Sequence, residues 1–177
     1  MKLASFVFTL VAASLPASAA DPALAALENI KLADNAIAHN QNDRALALAK
    51  KAIATLESNP PKPAALSQAD WDKRRTLGIG TAHLIAGIAE SNNNQFVAAN
   101  KDLRAALPVL KDNKETNART LFYLGVVNYQ IGRMMNDKAQ ILQAAKYSDE
   151  CAATPGPLQE RAYENSKAMK KEAAAMR

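Results

Sequence analysis

Apolar residues recur every three or four positions along most of the chain, and polar or Pro-containing breaks interrupt this pattern at intervals. This spacing places the apolar side chains on one face of an α-helix. The pattern predicts an all-α fold, made of three antiparallel helical hairpins and one last helix. The predicted hairpins cover about 23–57, 67–111 and 116–152, and the C-terminal helix covers 157–176.

The breaks between these segments carry recognisable turn and cap signals. Residues 58–66 hold three prolines and predict a linker, because proline removes a backbone donor and disfavours helix in the residue before it. Ser67 and Asp43 are placed to cap the helices that follow them. Trp71, just after the linker, is expected to pack it onto the core. Pro108 is expected to kink or end its helix.

Small residues recur at fixed distances from the predicted turns at Asn40, Asn94 and Gly132. The residue seven positions before each turn is Ala or Gly, and Ala follows the first two turns at matching offsets. These positions are Ala33, Gly87 and Gly125 before the turns, and Ala45, Ala99, Ala52 and Ala106 after them. Small residues are expected where two facing helices approach each other most closely.

On these residues the chain resembles the tetratricopeptide repeat family, whose units are helical hairpins of about 34 residues. The resemblance covers about 24–152. His83 and Thr120 stand where the family has an early Trp, Phe96 keeps the aromatic residue of the turn, and Ala139 stands two positions late. The resemblance implies a single domain over 20–177, shaped as a short right-handed solenoid with a C-terminal capping helix.

The first 19 residues have the features of a secretory signal peptide. Lys2 supplies a positive start, an uncharged apolar run extends from Leu3 to Leu15, and Ala17-Ser18-Ala19 is a small-residue cleavage pattern. The apolar run is shorter than the roughly 20 residues that a membrane-spanning helix needs. The sequence therefore predicts cleavage after Ala19 or Ala20, a periplasmic or secreted protein, and no integral membrane span.

Composition supports helix and argues against several functions. Ala occurs 38 times and Gly 6 times, and Ala is the best helix former. The net charge of +5 is spread along the helices, so nucleic-acid binding is not expected.

His39 and His83 lack metal-ligand spacing, and Asp149 and Glu150 diverge on a helix. Neither a catalytic residue nor a metal or cofactor is predicted, and the single Cys151 is expected to be a small buried thiol, with intermolecular pairing or reactivity as the alternatives.

The resemblance also implies a candidate binding face, because first helices of tetratricopeptide hairpins line the concave side. The residues that would project there are Thr81, Leu84, Ile88, Asn92, Arg119, Phe122, Val126, Tyr129 and Gln130. Tyr and Arg suit a binding surface, whereas a Phe-Tyr pair also suits the core. The alternative interpretation of Phe122 and Tyr129 is therefore core packing.

Two functions remain open at this point. The first is a non-enzymatic protein–protein interaction module of the bacterial periplasm or exterior that binds a protein or peptide segment in a helical groove. The alternative is a structural subunit or assembly factor of an envelope complex that acts through self-association, as a possible homo-oligomer. A helical fold by itself does not identify a partner.

Overall fold

The computed structural model describes residues 21–176, and this part of the chain is helical with no strand. The predicted all-α fold is confirmed. The seven helices described are α1 (Pro22–Ala38), α2 (Asn42–Glu57), α3 (Gln68–Asn92), α4 (Phe96–Leu110), α5 (Lys114–Met135), α6 (Lys138–Ala152) and α7 (Gln159–Ala175). The predicted signal peptide at 1–19 lies outside the described residues.

Helices that follow one another in the chain pack against each other, and α1, α3, α5 and α7 also contact one another in that order. Apolar side chains from α1, α2 and α3 form one core cluster, and side chains from α3 to α7 form a second. A smaller cluster joins α6 to α7. Within residues 21–176 no helix is both long and apolar enough to cross a bilayer.

The three hairpin turns share one backbone geometry. Each contains an asparagine with positive φ, at Asn40 (57°), Asn94 (59°) and Asn136 (50°). Asparagine tolerates this left-handed conformation better than other residues with a Cβ atom. In each turn the residue after this asparagine donates its backbone N–H to the carbonyl five positions earlier, which satisfies one of the free carbonyls at the helix end.

The third turn lies four residues later than the sequence pattern predicted. Helix α5 continues through Gly132 and ends at Met135. Glycine serves here for close packing, since the missing side chain lets α6 approach. A Cβ atom at this position would lie 2.7 Å from Ile141 Cγ1. With Asn136 as the turn, Ile141 takes the place of Ala45 and Ala99, and all three are fully buried. The predicted equivalence of Gly125 with the earlier small residues was therefore wrong.

Other local predictions had mixed outcomes. Ser67 Oγ accepts the backbone N–H of Asp70, so the predicted cap at the start of α3 is confirmed. Asp43 instead lies inside the first turn of α2, which has no side-chain cap, and its carboxylate accepts a hydrogen bond from Asn93. Pro108 lies within α4, which ends two residues later. Trp71 is buried in the first core cluster, against which Leu66 of the linker also packs.

Candidate functional site

The predicted binding-face residues lie at different depths in the structure. Three of them, Leu84, Ile88 and Phe122, are buried in the second core cluster. Asn92 is exposed and donates a hydrogen bond to Asn42. The half-buried members of the set are Thr81, Arg119, Val126, Tyr129 and Gln130. The part of the face that a partner can reach is thus concentrated on α5.

Phe122 belongs to the core and does not form part of an open groove. Its ring packs edge-on against Tyr123, with ring centres 5.5 Å apart and planes at 83°. The Arg161 guanidinium carbon lies 5.1 Å above the same ring. Because only 4% of Phe122 is exposed, the expectation that its ring projects into a groove was wrong, and the core-packing alternative applies to this residue.

Arg119 marks the side of the molecule on which α1 and α5 meet. Its Nη1 donates to Asp34 Oδ1 at 2.9 Å, although α3 packs between these two helices. Side chains of α1 and α5 therefore reach each other past α3 at this point. We call the side of α1, α3, α5 and α7 that bears this ion pair the odd-helix face.

A hollow beside Arg119 is formed by the N-terminal half of α5 and the segment 154–158. This pocket, which we call the α5–loop pocket, has a volume of about 530 Å³. Its lining residues are Lys114, Glu115, Ala118, Arg119, Tyr123, Thr154, Pro155, Gly156, Pro157 and Leu158. The floor is largely apolar, and the charged side chains come from the first turns of α5.

A smaller hollow of about 190 Å³ lies further along α5, where this helix faces α7. Val126, Tyr129 and Gln130 line it from the α5 side. On the α7 side it is lined by Asn165, Ala168 and Met169. Along the chain, Phe122 lies between α5 residues that line the two hollows, and Arg161, over its ring, lies between Leu158 of the first and Asn165 of the second. We call the two hollows together the α5–α7 seam.

Tyr129 closes the far end of this seam through a contact with α7. Its hydroxyl donates to the Glu172 carboxylate, which also pairs with Arg133 Nε at 3.3 Å. The hydrogen bond to Glu172 and partial burial raise the pKa of Tyr129 above its usual value, because both disfavour the phenolate. Tyr129 therefore has its ring at the hollow and its hydroxyl in a helix-to-helix contact.

Sequence reasoning missed the contribution of α7 and of the segment before it. Arg161, Asn165, Met169 and Glu172 all face the seam, at spacings of four, four and three residues. That spacing is the signature of a single helix stripe and was visible in the sequence. It was not used, because α7 was predicted only to cap the stack of hairpins.

A cluster of charged and polar side chains lies between the first two hairpins, apart from the α5–α7 seam. Lys50 of α2 pairs with Asp102 of α4 and lies 3.1 Å from Glu90 Oε1 of α3. His83 Nδ1 lies 3.0 Å from Asp102 Oδ1. Both carboxylates are buried, with 4% of each residue exposed. Four charged or titratable groups from three helices thus meet at one point, which the sequence pattern did not indicate.

The two carboxyl groups of this cluster have different pKa values. Burial alone would raise the pKa of Asp102, but hydrogen bonds from His83, Lys50 and Glu90 outweigh burial and hold it at about 2. Burial, followed by the adjacent Asp102 carboxylate, raises the pKa of Glu90. Glu90 Oε2 is buried without a hydrogen-bond partner. In its protonated form Glu90 can donate to Asp102, as expected for two close carboxyl groups.

The cluster joins helices and lacks the arrangement of a metal centre. Among residues 21–176 no group of three or more His, Cys, Asp or Glu side chains is placed to hold a metal ion. The Lys50 ammonium already lies between the two carboxylates. The arrangement therefore offers an ionic connection between hairpins, whereas the α5–α7 seam offers accessible space. Comparison of the chain with protein-family models, with curated proteins and with solved structures yields no match.

Proposed function

We propose that this protein is a non-enzymatic binding module of the bacterial periplasm or exterior, and that it holds a polypeptide segment on its odd-helix face, over the α5–α7 seam. The observation that carries the proposal is the pair of hollows in line along one helix, lined by half-buried Arg119, Tyr129 and Gln130. The cellular location follows from the leader-like pattern of residues 1–19.

The dimensions of the seam suit a short extended peptide. From Arg119 to Gln130 the α5 axis rises by about 17 Å, at roughly 1.5 Å per residue. An extended chain covers that distance with about five residues, at roughly 3.3 Å each. Side chains at every second position of such a peptide would point toward α5, so that two or three of them meet the two hollows.

The side chains along the seam are of the kinds that bind peptides well. Tyr129 combines a large ring with a hydroxyl group, and Arg119 presents several donors on a planar group. Tyr129 is already held by its contact to α7, so ordering it on binding costs little side-chain entropy. Gln130 adds an amide that can bond to the backbone of an extended peptide.

A tetratricopeptide-like stack of hairpins is the arrangement that we propose for the whole module. It is supported by the three turns of equal geometry and by the successive contacts among α1, α3, α5 and α7. In such a stack the first helices of all hairpins share one face, which agrees with the meeting of Asp34 and Arg119.

Site-specific photo-crosslinking tests the proposed function. A benzophenone amino acid placed at Gln130 should capture a polypeptide from an envelope extract, and the same group at Ala105, which is exposed on α4, should not. Excess unlabelled protein should compete for the adduct at Gln130. Adducts of equal yield at the two positions, or at Ala105 alone, would refute binding along the seam.

Self-association is the second candidate, and it is favoured by exposed apolar residues near two of the turns. Val97, Met134 and Met135 are 75%, 73% and 71% exposed, an unusual degree for side chains of this kind. If these residues mediate assembly, the crosslinker at Met135 will join two copies of this chain. Sedimentation of the wild type should then show an oligomer that Met134→Lys together with Met135→Lys dissociates.

A further inference from the structure

The α5–loop pocket has an apolar floor. Ala118 and Tyr123 from α5 face Pro155, Pro157 and Leu158 from the segment between α6 and α7. The volume of about 530 Å³ lies within the roughly 300–1,000 Å³ of pockets that hold small ligands. A large apolar side chain, such as that of Leu or Phe, would lose its contact with water on entering this space.

The rim of the same pocket carries an excess of positive charge. Lys114 and Arg119 line the pocket with one acid, Glu115, and Asp34 of α1 pairs with Arg119 from outside the lining. Arg161 of α7 adds a further cation nearby, since its guanidinium lies over the ring of Phe122, which packs against the pocket residue Tyr123. An anionic group beside the apolar ligand would therefore meet more donors than acceptors.

Arg119 is positioned to accept an additional anion. Asp34 takes one hydrogen bond from Nη1, whereas a guanidinium carries five N–H groups. Both partners are open to solvent, with 32% of the Arg119 side chain and 54% of the Asp34 side chain exposed. A ligand carboxylate can therefore share or replace Asp34 at a small cost.

The charge of the whole chain acts in the same direction. The net charge is +5, or +4 without Lys2 of the predicted signal peptide, so long-range attraction favours the approach of acidic segments over basic ones. This attraction weakens as salt is added, because the screening length falls to about 10 Å at roughly 0.1 M ionic strength.

From these observations we infer that the α5–loop pocket recognises a large apolar side chain flanked by acidic residues, so that the partner segment is an acidic peptide. The inference rests on the proposed function and specifies the chemistry of the segment that the seam holds. The apolar side chain fills the space over Ala118 and Leu158, and a neighbouring carboxylate meets Lys114 and Arg119 at the rim.

Three fluorescein-labelled peptides of equal length test this chemistry by fluorescence anisotropy. All three contain a central Leu-Phe pair, flanked on both sides by Glu, by Gln or by Lys. The Glu-flanked peptide should bind about tenfold more tightly than the Gln-flanked one, the effect of one or two charge-assisted contacts, and the Lys-flanked peptide should bind least. The difference should shrink as salt is raised.

A pair of double variants separates the pocket from general charge attraction. Lys114→Gln with Arg119→Gln should weaken binding of the Glu-flanked peptide by about tenfold. Arg104→Gln with Lys146→Gln removes the same charge from exposed positions on α4 and α6, and should change affinity by less than about twofold. Lys114→Glu serves as a second test and should also weaken binding of the Glu-flanked peptide. Lys114 is exposed, so its replacement does not disturb the core.

The possible outcomes keep this inference distinct from the proposed function. If the Gln-flanked and Glu-flanked peptides bind equally, or the control double variant loses as much affinity as the pocket variant, the inference is wrong. No binding of the Glu-flanked peptide overturns it as well. In each of these cases a specific adduct at Gln130 in the crosslinking experiment would leave the proposed function standing. Absence of that adduct would overturn both the proposed function and the inference about acidic peptides.

Discussion

At the scale of single residues, the buried cluster of Lys50, His83, Glu90 and Asp102 places two carboxyl groups in the protein interior. Two carboxyl groups with 4% exposure lose most of their hydration, and ion pairing with Lys50 and the hydrogen bond between His83 and Asp102 offset that loss. The four residues lie on three helices, and the members farthest apart in sequence are Lys50 and Asp102. No local pattern therefore predicted them.

The two carboxyl groups of the cluster should affect stability in opposite directions. The pKa of Asp102 falls from its ordinary 3.8 to about 2 in the folded protein, so its ionised form favours folding by about 2 kcal/mol above pH 4. Asp102→Asn should remove this contribution at pH 7, and the loss should vanish as the pH falls from about 4 to about 2. Urea denaturation at a series of pH values measures it.

Glu90→Gln is the matched comparison for Asp102→Asn. The pKa of Glu90 is raised by burial and by Asp102, so folding favours its protonated form, and stability from this group is lost as the pH rises through the raised pKa. The neutral amide of Gln resembles the protonated acid, so this variant should equal or exceed the wild type in stability at pH 7. Equal losses in both variants, independent of pH, would contradict this account of the cluster.

Close approach between helices gives a second prediction at the residue scale. Ala106 is fully buried in the core between α3 and α4, whereas its neighbour Ala105 is exposed on the same helix. Ala106→Leu should destabilise the protein by about 1–3 kcal/mol, because the larger side chain has no space, and Ala105→Leu should change stability by less than about 0.5 kcal/mol. Thermal melts of both variants decide whether the hairpin packs as described.

At the scale of helices, apolar periodicity predicted each element and the break signals placed most of the ends. The failure at Gly132 has a physical reason. Glycine ends helices, but it also permits close packing, and the sequence does not show that Ile141 lies against this position. The asparagine that does form the turn, Asn136, precedes the cap residue Asp137, and only the structure shows its left-handed backbone.

Helix α7 is attached by polar contacts and by four buried residues, Ala162, Ser166, Met169 and Ala173. Met169 is buried against α6, and Ser166 donates to Asp149 at 2.6 Å. Because α7 forms one wall of the α5–α7 seam, its attachment also determines whether the seam exists.

Met169→Ala should therefore loosen α7 selectively. Truncating a buried Met costs about 2–5 kcal/mol, and this loss falls on the contact between α6 and α7. Hydrogen exchange followed by mass spectrometry should show the largest acceleration within 159–175, and little change in α1 and α2. Tyr163→Ala, at a residue 57% exposed on the same helix, is the control and should leave exchange almost unaltered. Uniform acceleration along the chain would mean that α7 does not open as a separate unit.

At the scale of the whole molecule, the sequence predicted only part of the candidate site. Arg119, Val126, Tyr129 and Gln130 do line one seam, because a helix stripe in sequence remains a stripe in the structure. Phe122 falls in the core instead, since α7 packs beside α5 and Arg161 covers its ring. Packing between elements far apart in sequence decides whether such a residue is buried. The periodicity of a single helix gives no information about that packing.

The ion pair between Asp34 and Arg119 leads to a prediction that tests the odd-helix face as one surface. Asp34→Ala should leave stability within about 0.5 kcal/mol of wild type, because an exposed ion pair contributes little. The same change releases the Arg119 guanidinium, so affinity for the Glu-flanked peptide should rise by roughly two- to tenfold at low salt. Titration by fluorescence anisotropy measures the change.

Glu28→Ala provides the control for Asp34→Ala, since it removes the same charge from α1 at an exposed residue that pairs with Lys31. Attraction of the peptide to the overall charge would increase equally in the two variants. A gain confined to Asp34→Ala requires that α1 and α5 act together at the rim of the pocket, because Asp34 lies on the first hairpin and Arg119 on the third. Equal gains would place peptide binding away from Arg119 and leave the ion pair a contact between helices only.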